Sequence, residues 1–254
     1  MQDVSSMSFL VTGGGTGLGA GIARHLAGQG AKVTISGRRA GKLEAVAGEI
    51  GPGCAIVQGD VADADDRRRM VEAAVAHGGG LQGLVNTAGN ILRGPITDLA
   101  AEDIARLMNT NVVAGMALTG LAVPHLERDG GAVLFIGSVH TRRAYPGASP
   151  YAASKGAVEV LSRVLAAELG PRGIRVNCLI PGAVPTEINV RAGIAKDFGE
   201  NLARLKSMED DHPLGRIGTP EEIAEAAHYL LCAQWTTGTS VVVDGGLALG
   251  VSYK

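Results

Sequence analysis

Aromatic residues are nearly missing from this chain. Phe, Tyr and Trp together supply 3% of its 254 residues, so the interior has to be filled by closely packed aliphatic side chains. Cysteine is scarce as well. Cys54, Cys178 and Cys232 are odd in number and widely separated, which excludes a disulfide framework and zinc-ligand spacing and points to a reducing compartment, the cytoplasm. The six histidines are scattered, and no metal site is expected. Neither sign of charge predominates: 23 Lys and Arg stand against 25 Asp and Glu, and no basic stripe marks nucleic-acid binding. No stretch approaches the ~20 apolar residues of a membrane span, and Met1-Gln2-Asp3-Val4-Ser5-Ser6-Met7 lacks the basic and apolar regions of a secretory leader. No Pro/Ser-rich linker divides the chain, so residues 1–254 are read as one domain.

What is abundant is glycine, 38 residues of it, together with 46% hydrophobic residues in short runs. Aliphatic runs at 8–12, 32–36, 55–58, 84–86, 132–136, 175–180 and 240–244 read as seven buried strands. Helical patterns fall between them at 18–29, 42–49, 65–77, 101–126, 150–169 and 220–231. Near-continuous apolar strands alternating with helices predict a doubly wound α/β fold, a mostly parallel seven-stranded sheet of Rossmann type with helices on both faces. The charged stretch 186–213 interrupts the alternation. It lies after the sixth strand, above the strand ends where such sheets bind ligands, as a substrate lid or a solvated helical excursion.

Directly after the first strand comes Thr12-Gly13-Gly14-Gly15-Thr16-Gly17-Leu18-Gly19. In a strand-loop-helix setting such glycines let backbone N–H groups approach a pyrophosphate at the positive helix end. The second strand ends in Ser36-Gly37-Arg38-Arg39, with no carboxylate to accept bonds from an adenosine 2′-hydroxyl. A guanidinium suits a 2′-phosphate, so Arg38 favours NADP(H) over NAD(H) unless both arginines are merely solvated.

Tyr151 and Lys155 stand four positions apart in a helical pattern and share one face. A phenol titrates near ~10, and an adjacent ammonium lowers that value, which makes an acid-base catalyst. Alone the pair is a common surface motif. Taken with the glycine loop, it makes the whole chain resemble the short-chain dehydrogenase/reductase family. Gly13, Gly15, Thr16, Gly17, Leu18 and Gly19 match its cofactor loop, and Asp60 and Val61 its adenine-contacting pair. Asn86, Ala88 and Gly89 match its fourth-strand motif, with Thr87 replacing the usual second Asn. Pro181, Gly182, Val184 and Thr186 match the segment around the nicotinamide.

The resemblance implies that Asn111, Ser138, Tyr151 and Lys155 are the catalytic residues of an NAD(P)(H)-dependent oxidoreductase interconverting a secondary alcohol and a ketone. Tyr151 would be the acid or base, Lys155 would lower its pKa and bind the nicotinamide ribose, Ser138 would bond the substrate oxygen, and Asn111 would hold a proton-relaying water. It also implies a homotetramer, and the apolar C-terminal strand and tail suit a subunit contact. The alternative is a catalytically silent dinucleotide sensor on the same fold. Ser138, His140 and Tyr151 are expected at the substrate. Arg142 and Arg143 are either an anion-attracting pair or solvated loop charges. The pattern is similar to bacterial glucose 1-dehydrogenases and to 3-oxoacyl-carrier-protein reductases, so a sugar, a 3-oxoacyl thioester and a simple ketone all remain as substrates.

Overall fold

A computed structural model of the chain describes residues 2–251. Seven strands, β1 (Ser8–Thr12), β2 (Lys32–Gly37), β3 (Cys54–Gln58), β4 (Gly83–Asn86), β5 (Ala132–Ile136), β6 (Arg175–Pro181) and β7 (Ser240–Val243), form one sheet in the order β3-β2-β1-β4-β5-β6-β7. All six neighbouring pairs are parallel, a stricter arrangement than the mostly parallel sheet expected. The chain winds one way from β1 to β3 and the other way from β4 to β7. That leaves a crevice above the carboxyl ends of β1 and β4, the usual ligand position in such sheets.

Side-chain alternation explains why the strands are apolar throughout. In β1, Phe9 and Val11 enter one core while Leu10 enters the other. The first core lies under α1 (Gly17–Gly28), α2 (Ala40–Ile50) and α9 (Pro220–Cys232), with Ile22, Leu43 and Leu230 buried in it. The second lies under α3 (Ala64–Gly78), α5 (Ala114–Leu126) and α6 (Ser149–Leu169), with Met70, Leu118 and Val158 buried in it. Covering both faces stabilises the sheet by roughly 25 cal/mol for each Å² of apolar surface removed from water.

The helical pattern over 101–126 contains a change of winding. α4 (Ala101–Met108) passes into a π-helical turn, Asn109–Val113, before continuing as α5. This 26-residue helix is long and apolar enough by composition to cross a membrane, which corrects the expectation that no stretch comes near that length. In this fold it packs against the sheet and α6, and Leu118, Ala122 and Leu126 are fully buried. After β6 the charged excursion forms α7 (Ile188–Arg191) and α8 (Phe198–Lys206). Asn201 stitches it together: its amide accepts from Asn189 at 2.8 Å and donates to the Thr186 carbonyl at 2.9 Å.

Candidate active site

A cleft of about 280 Å³ opens above β1 and β4. Of the residues expected to hold a dinucleotide, all line it except Gly15 and Asn86. Gly15 instead packs under Lys42 and Leu43 of α2. Asn86 faces away from the cleft and donates to Thr119 Oγ1 at 3.3 Å, tying β4 to α5. The Asn86 departure follows from local geometry, since successive residues of a strand point to opposite sides.

The start of α1 fits an anionic group. Thr16 occupies the N-cap position without capping the helix, and no acidic residue stands in the first turn. The first-turn N–H groups therefore have no side-chain acceptor and face a site where a phosphate is stabilised. Gly17 has a φ of +56°, and a Cβ on Gly19 would lie 2.5 Å from the Gly13 carbonyl oxygen, so backbone occupies the space a side chain would need. Thr12, the first residue of the glycine-loop motif, shapes the opposite wall. Its hydroxyl accepts from Thr87 N–H and Ala88 N–H at 3.1 Å each.

At the end of β2 the arginines divide their tasks. Arg38 lines the cleft with its guanidinium 3.8 Å from Asp60. Asp60 also accepts from Ala62 N–H at 3.0 Å, so it caps its turn as well as lining the cleft. Arg39 reaches back to donate to Thr16 Oγ1 at 3.2 Å and pairs with Glu187 at 2.8 Å. Lys42 pairs with the other Glu187 oxygen at 2.9 Å. A clasp thus joins α2 to the segment that leads into α7.

Tyr151 and Lys155 share a face of α6 and are 8% and 6% exposed, which removes the reading of a solvated surface pair. Burial pushes the Tyr151 phenol above its usual value, with the Ser138 hydroxyl and the Arg93 guanidinium opposing that rise. The Arg93 guanidinium, from the loop after β4, is thus a second cation near the phenol beside Lys155. The Lys155 ammonium donates to the Ile136 carbonyl at 2.8 Å and lies 5.7 Å from the Tyr151 ring centre. Its own pKa is pushed down to about 8 by burial.

Ser138 lies two residues beyond β5 and opens a 3-10 turn, Val139–Thr141. Its oxygen is 3.0 Å from His140 Nδ1, and His140 Nε2 is 2.9 Å from Arg93 Nη2. A guanidinium only donates, so Nε2 must accept and the imidazole proton must sit on Nδ1. The ring then donates to Ser138, whose own O–H is left to donate toward the phenol. His140 is held neutral, pushed down to about 4 chiefly by burial and also by Arg93. Arg93 is the residue that sequence reasoning missed, because it has no motif and reaches the site only through the fold.

Asn111 sits in the π turn, behind the cleft. Its side chain is taken up by Asn90 N–H at 2.8 Å, the Asn90 carbonyl at 2.9 Å and Ser154 Oγ at 3.0 Å. Together with Lys155 it lines a void of about 10 Å³, which is close to the room one water needs.

Arg142 and Arg143 stand outside the cleft, and neither is free. Arg142 forms a two-pronged pair with the buried Glu159 of α6, one contact at 2.9 Å, and Arg143 pairs with Asp211 at 3.4 Å. Their work is to hold the Ser138 loop to α6 and to the end of the charged excursion. That excursion covers the cleft, contributing Ile188, Asn189, Arg191, Arg204, Leu205 and Met208 to its lining.

Residues 13–248 match a family model described as enoyl-(acyl carrier protein) reductase. The chain is 35% identical over 249 residues to L-fucose dehydrogenase of Bos taurus, covering 96% of this chain and 90% of that one. It is 38% identical over 244 residues to dehydrogenase/reductase SDR family member 4 of Homo sapiens, covering 93% and 86%. Among solved structures, 3-ketoacyl-(acyl-carrier-protein) reductase from Brucella melitensis complexed with NADH superposes with a TM-score of 0.85 at 33% identity, covering 95% and 98%.

Proposed function

The chain belongs to the short-chain dehydrogenase/reductase family and is an NAD(P)-dependent oxidoreductase; from that premise we propose that it interconverts a secondary alcohol and a ketone, with Tyr151 exchanging the proton. The observation that carries this reading is the buried phenol on the floor of the cleft, beside Ser138 and one helical turn from Lys155. When bound, the nicotinamide dinucleotide supplies or accepts the hydride. The glycine loop, Thr186 and Lys155 would hold it.

The protein's own share is proton placement. Because burial keeps Tyr151 in its neutral form, the resting site offers a proton to a carbonyl oxygen. Ser138, its oxygen engaged by His140, directs its own O–H to the oxygen that gains charge. Lys155, its pKa pushed down to about 8 by burial, would pass a proton toward the void it shares with Asn111. Tyr151→Phe is expected to keep NADPH affinity within a few-fold and to lower turnover by about 100-fold or more. Turnover near the wild-type level would overturn the assignment.

NADP(H) is the proposed cofactor, supported by Arg38 in the cleft and Arg39 folded over Thr16, with the nearby carboxylates already matched, Asp60 by Arg38 and Glu187 by Arg39 and Lys42. A homotetramer in the cytoplasm is the proposed state. It is supported by apolar residues left exposed on α5 and α6 (Met116, Leu121, Val160, Val164), by Leu249 near the C-terminus, and by free thiols at Cys54, Cys178 and Cys232. Light scattering tests the assembly, and a monomer at working concentration would refute it.

A further inference from the structure

Four arginines line the cleft; Arg38 stands beside Asp60 and Arg191 donates to the Gly89 carbonyl at 3.3 Å, which leaves Arg93 and Arg204. Arg93, from the loop after β4, and Arg204, from α8, both line it. The two acids in the lining, Asp60 and Glu187, stand beside Arg38 and beside Arg39 with Lys42, where their charges are already matched. Among the described residues neither Arg93 nor Arg204 has an acidic partner. Among the described residues the one side-chain hydrogen bond of Arg93 is to the neutral His140 ring, and its Nε is buried without a partner. The Tyr145 hydroxyl, on another lining residue, is buried and unpartnered too. Two like charges facing one pocket, with orphaned donors on Arg93 and Tyr145, favour an anion that would bridge them. Burial and the charge of Arg204 both act against the Arg93 cation, and an anion would relieve both.

The spacing narrows the anion. A single imidazole separates Arg93 from Ser138, through contacts of 2.9 and 3.0 Å. A group bound by Arg93 and a carbonyl bound by Ser138 therefore belong to one short molecule. A planar carboxylate matches the guanidinium fork. We propose that the substrate is a short oxo acid, or the hydroxy acid formed from it, with its carboxylate held by Arg93 and Arg204 while its carbonyl meets Ser138 and Tyr151. This rests on the alcohol–ketone reading above and names the substrate class for that site. Arg142 and Arg143, the pair that the sequence offered for an anion, are spent on Glu159 and Asp211.

The test compares acetoacetate and levulinate with their methyl esters as substrates for NADPH oxidation, in the wild type, in Arg204→Gln and in Arg204→Lys. Arg204 is exposed on α8, so substituting it spares the core. The expected result is a wild-type kcat/KM at least tenfold higher for acid than for ester. That ratio should collapse in Arg204→Gln, mainly through KM, and recover in part in Arg204→Lys. Equal use of acid and ester, or a ratio unmoved by Arg204→Gln, overturns the carboxylate site and leaves the oxidoreductase reading intact. If no compound is turned over, that reading falls instead, and calorimetric titration of acetoacetate into the NADP-loaded protein decides the site. Binding lost in Arg204→Gln supports it, and no binding to wild type overturns it.

Discussion

His140 should make this protein sensitive to mild acid, and the size of the effect follows from its surroundings. In the unfolded chain its imidazole titrates near the ordinary value of 6.5, whereas in the fold burial and Arg93 push it down to about 4. Between those two values the unfolded chain binds a proton that the folded one refuses, so stability falls as pH drops through this window. At about 1.4 kcal/mol for each unit, the whole window is worth roughly 3 kcal/mol, and about 2 kcal/mol of that is lost between pH 7 and pH 5. The perturbation is His140→Asn, which keeps a polar side chain beside Ser138 and does not titrate. Urea unfolding followed by circular dichroism at pH 7 and pH 5 gives the acid loss for each protein. The wild type should lose about 2 kcal/mol more than the variant. The groups facing His140, namely Arg93, Ser138, Tyr145 and Tyr151, do not change charge in that range, and every distant carboxylate or histidine contributes equally to both proteins. Equal losses within about half a kcal/mol would show that the ring is solvated in the fold and that the proton assignment on Ser138 is wrong.

Two further outcomes are expected. Gly19→Ala places a methyl 2.5 Å from the Gly13 carbonyl oxygen, so thermal unfolding should show a loss of about 1–3 kcal/mol and fluorescence titration a marked loss of NADPH affinity; unchanged affinity would mean that no phosphate sits on this turn. Arg38→Glu should lower the ratio of NADPH to NADH affinity by at least tenfold, and an unmoved ratio would show that Arg38 does not read the 2′-phosphate.

What could be read in advance depended on how local its cause was. β1 and β5 were legible to the residue because every position in them is buried, and burial on both faces writes itself as an unbroken apolar run. The glycine loop and the shared face of Tyr151 and Lys155 are local too, one set by turn geometry and the other by helical pitch. Arg93, Arg204 and the spending of Arg142 on Glu159 were not legible, because each depends on which distant segments the sheet brings together. Lys155 shows the same limit within one helix. Its spacing from Tyr151 was plain, but its bond to the Ile136 carbonyl required β5 to lie alongside. The π turn left no trace either, since one extra residue in a helix hardly disturbs an apolar pattern.

That turn acts as a phase shifter. An α-helix advances by about 100° with each residue. The residue absorbed at Asn109–Val113 therefore sets the rotation of all of α5 relative to α4. It lets α4 bury Leu107 while α5 presents Leu118, Ala122 and Leu126 to the sheet, and it turns the Asn111 amide toward Asn90. One surplus residue thus keeps two sides of the molecule in step: the packing under the sheet and the loop that carries Arg93.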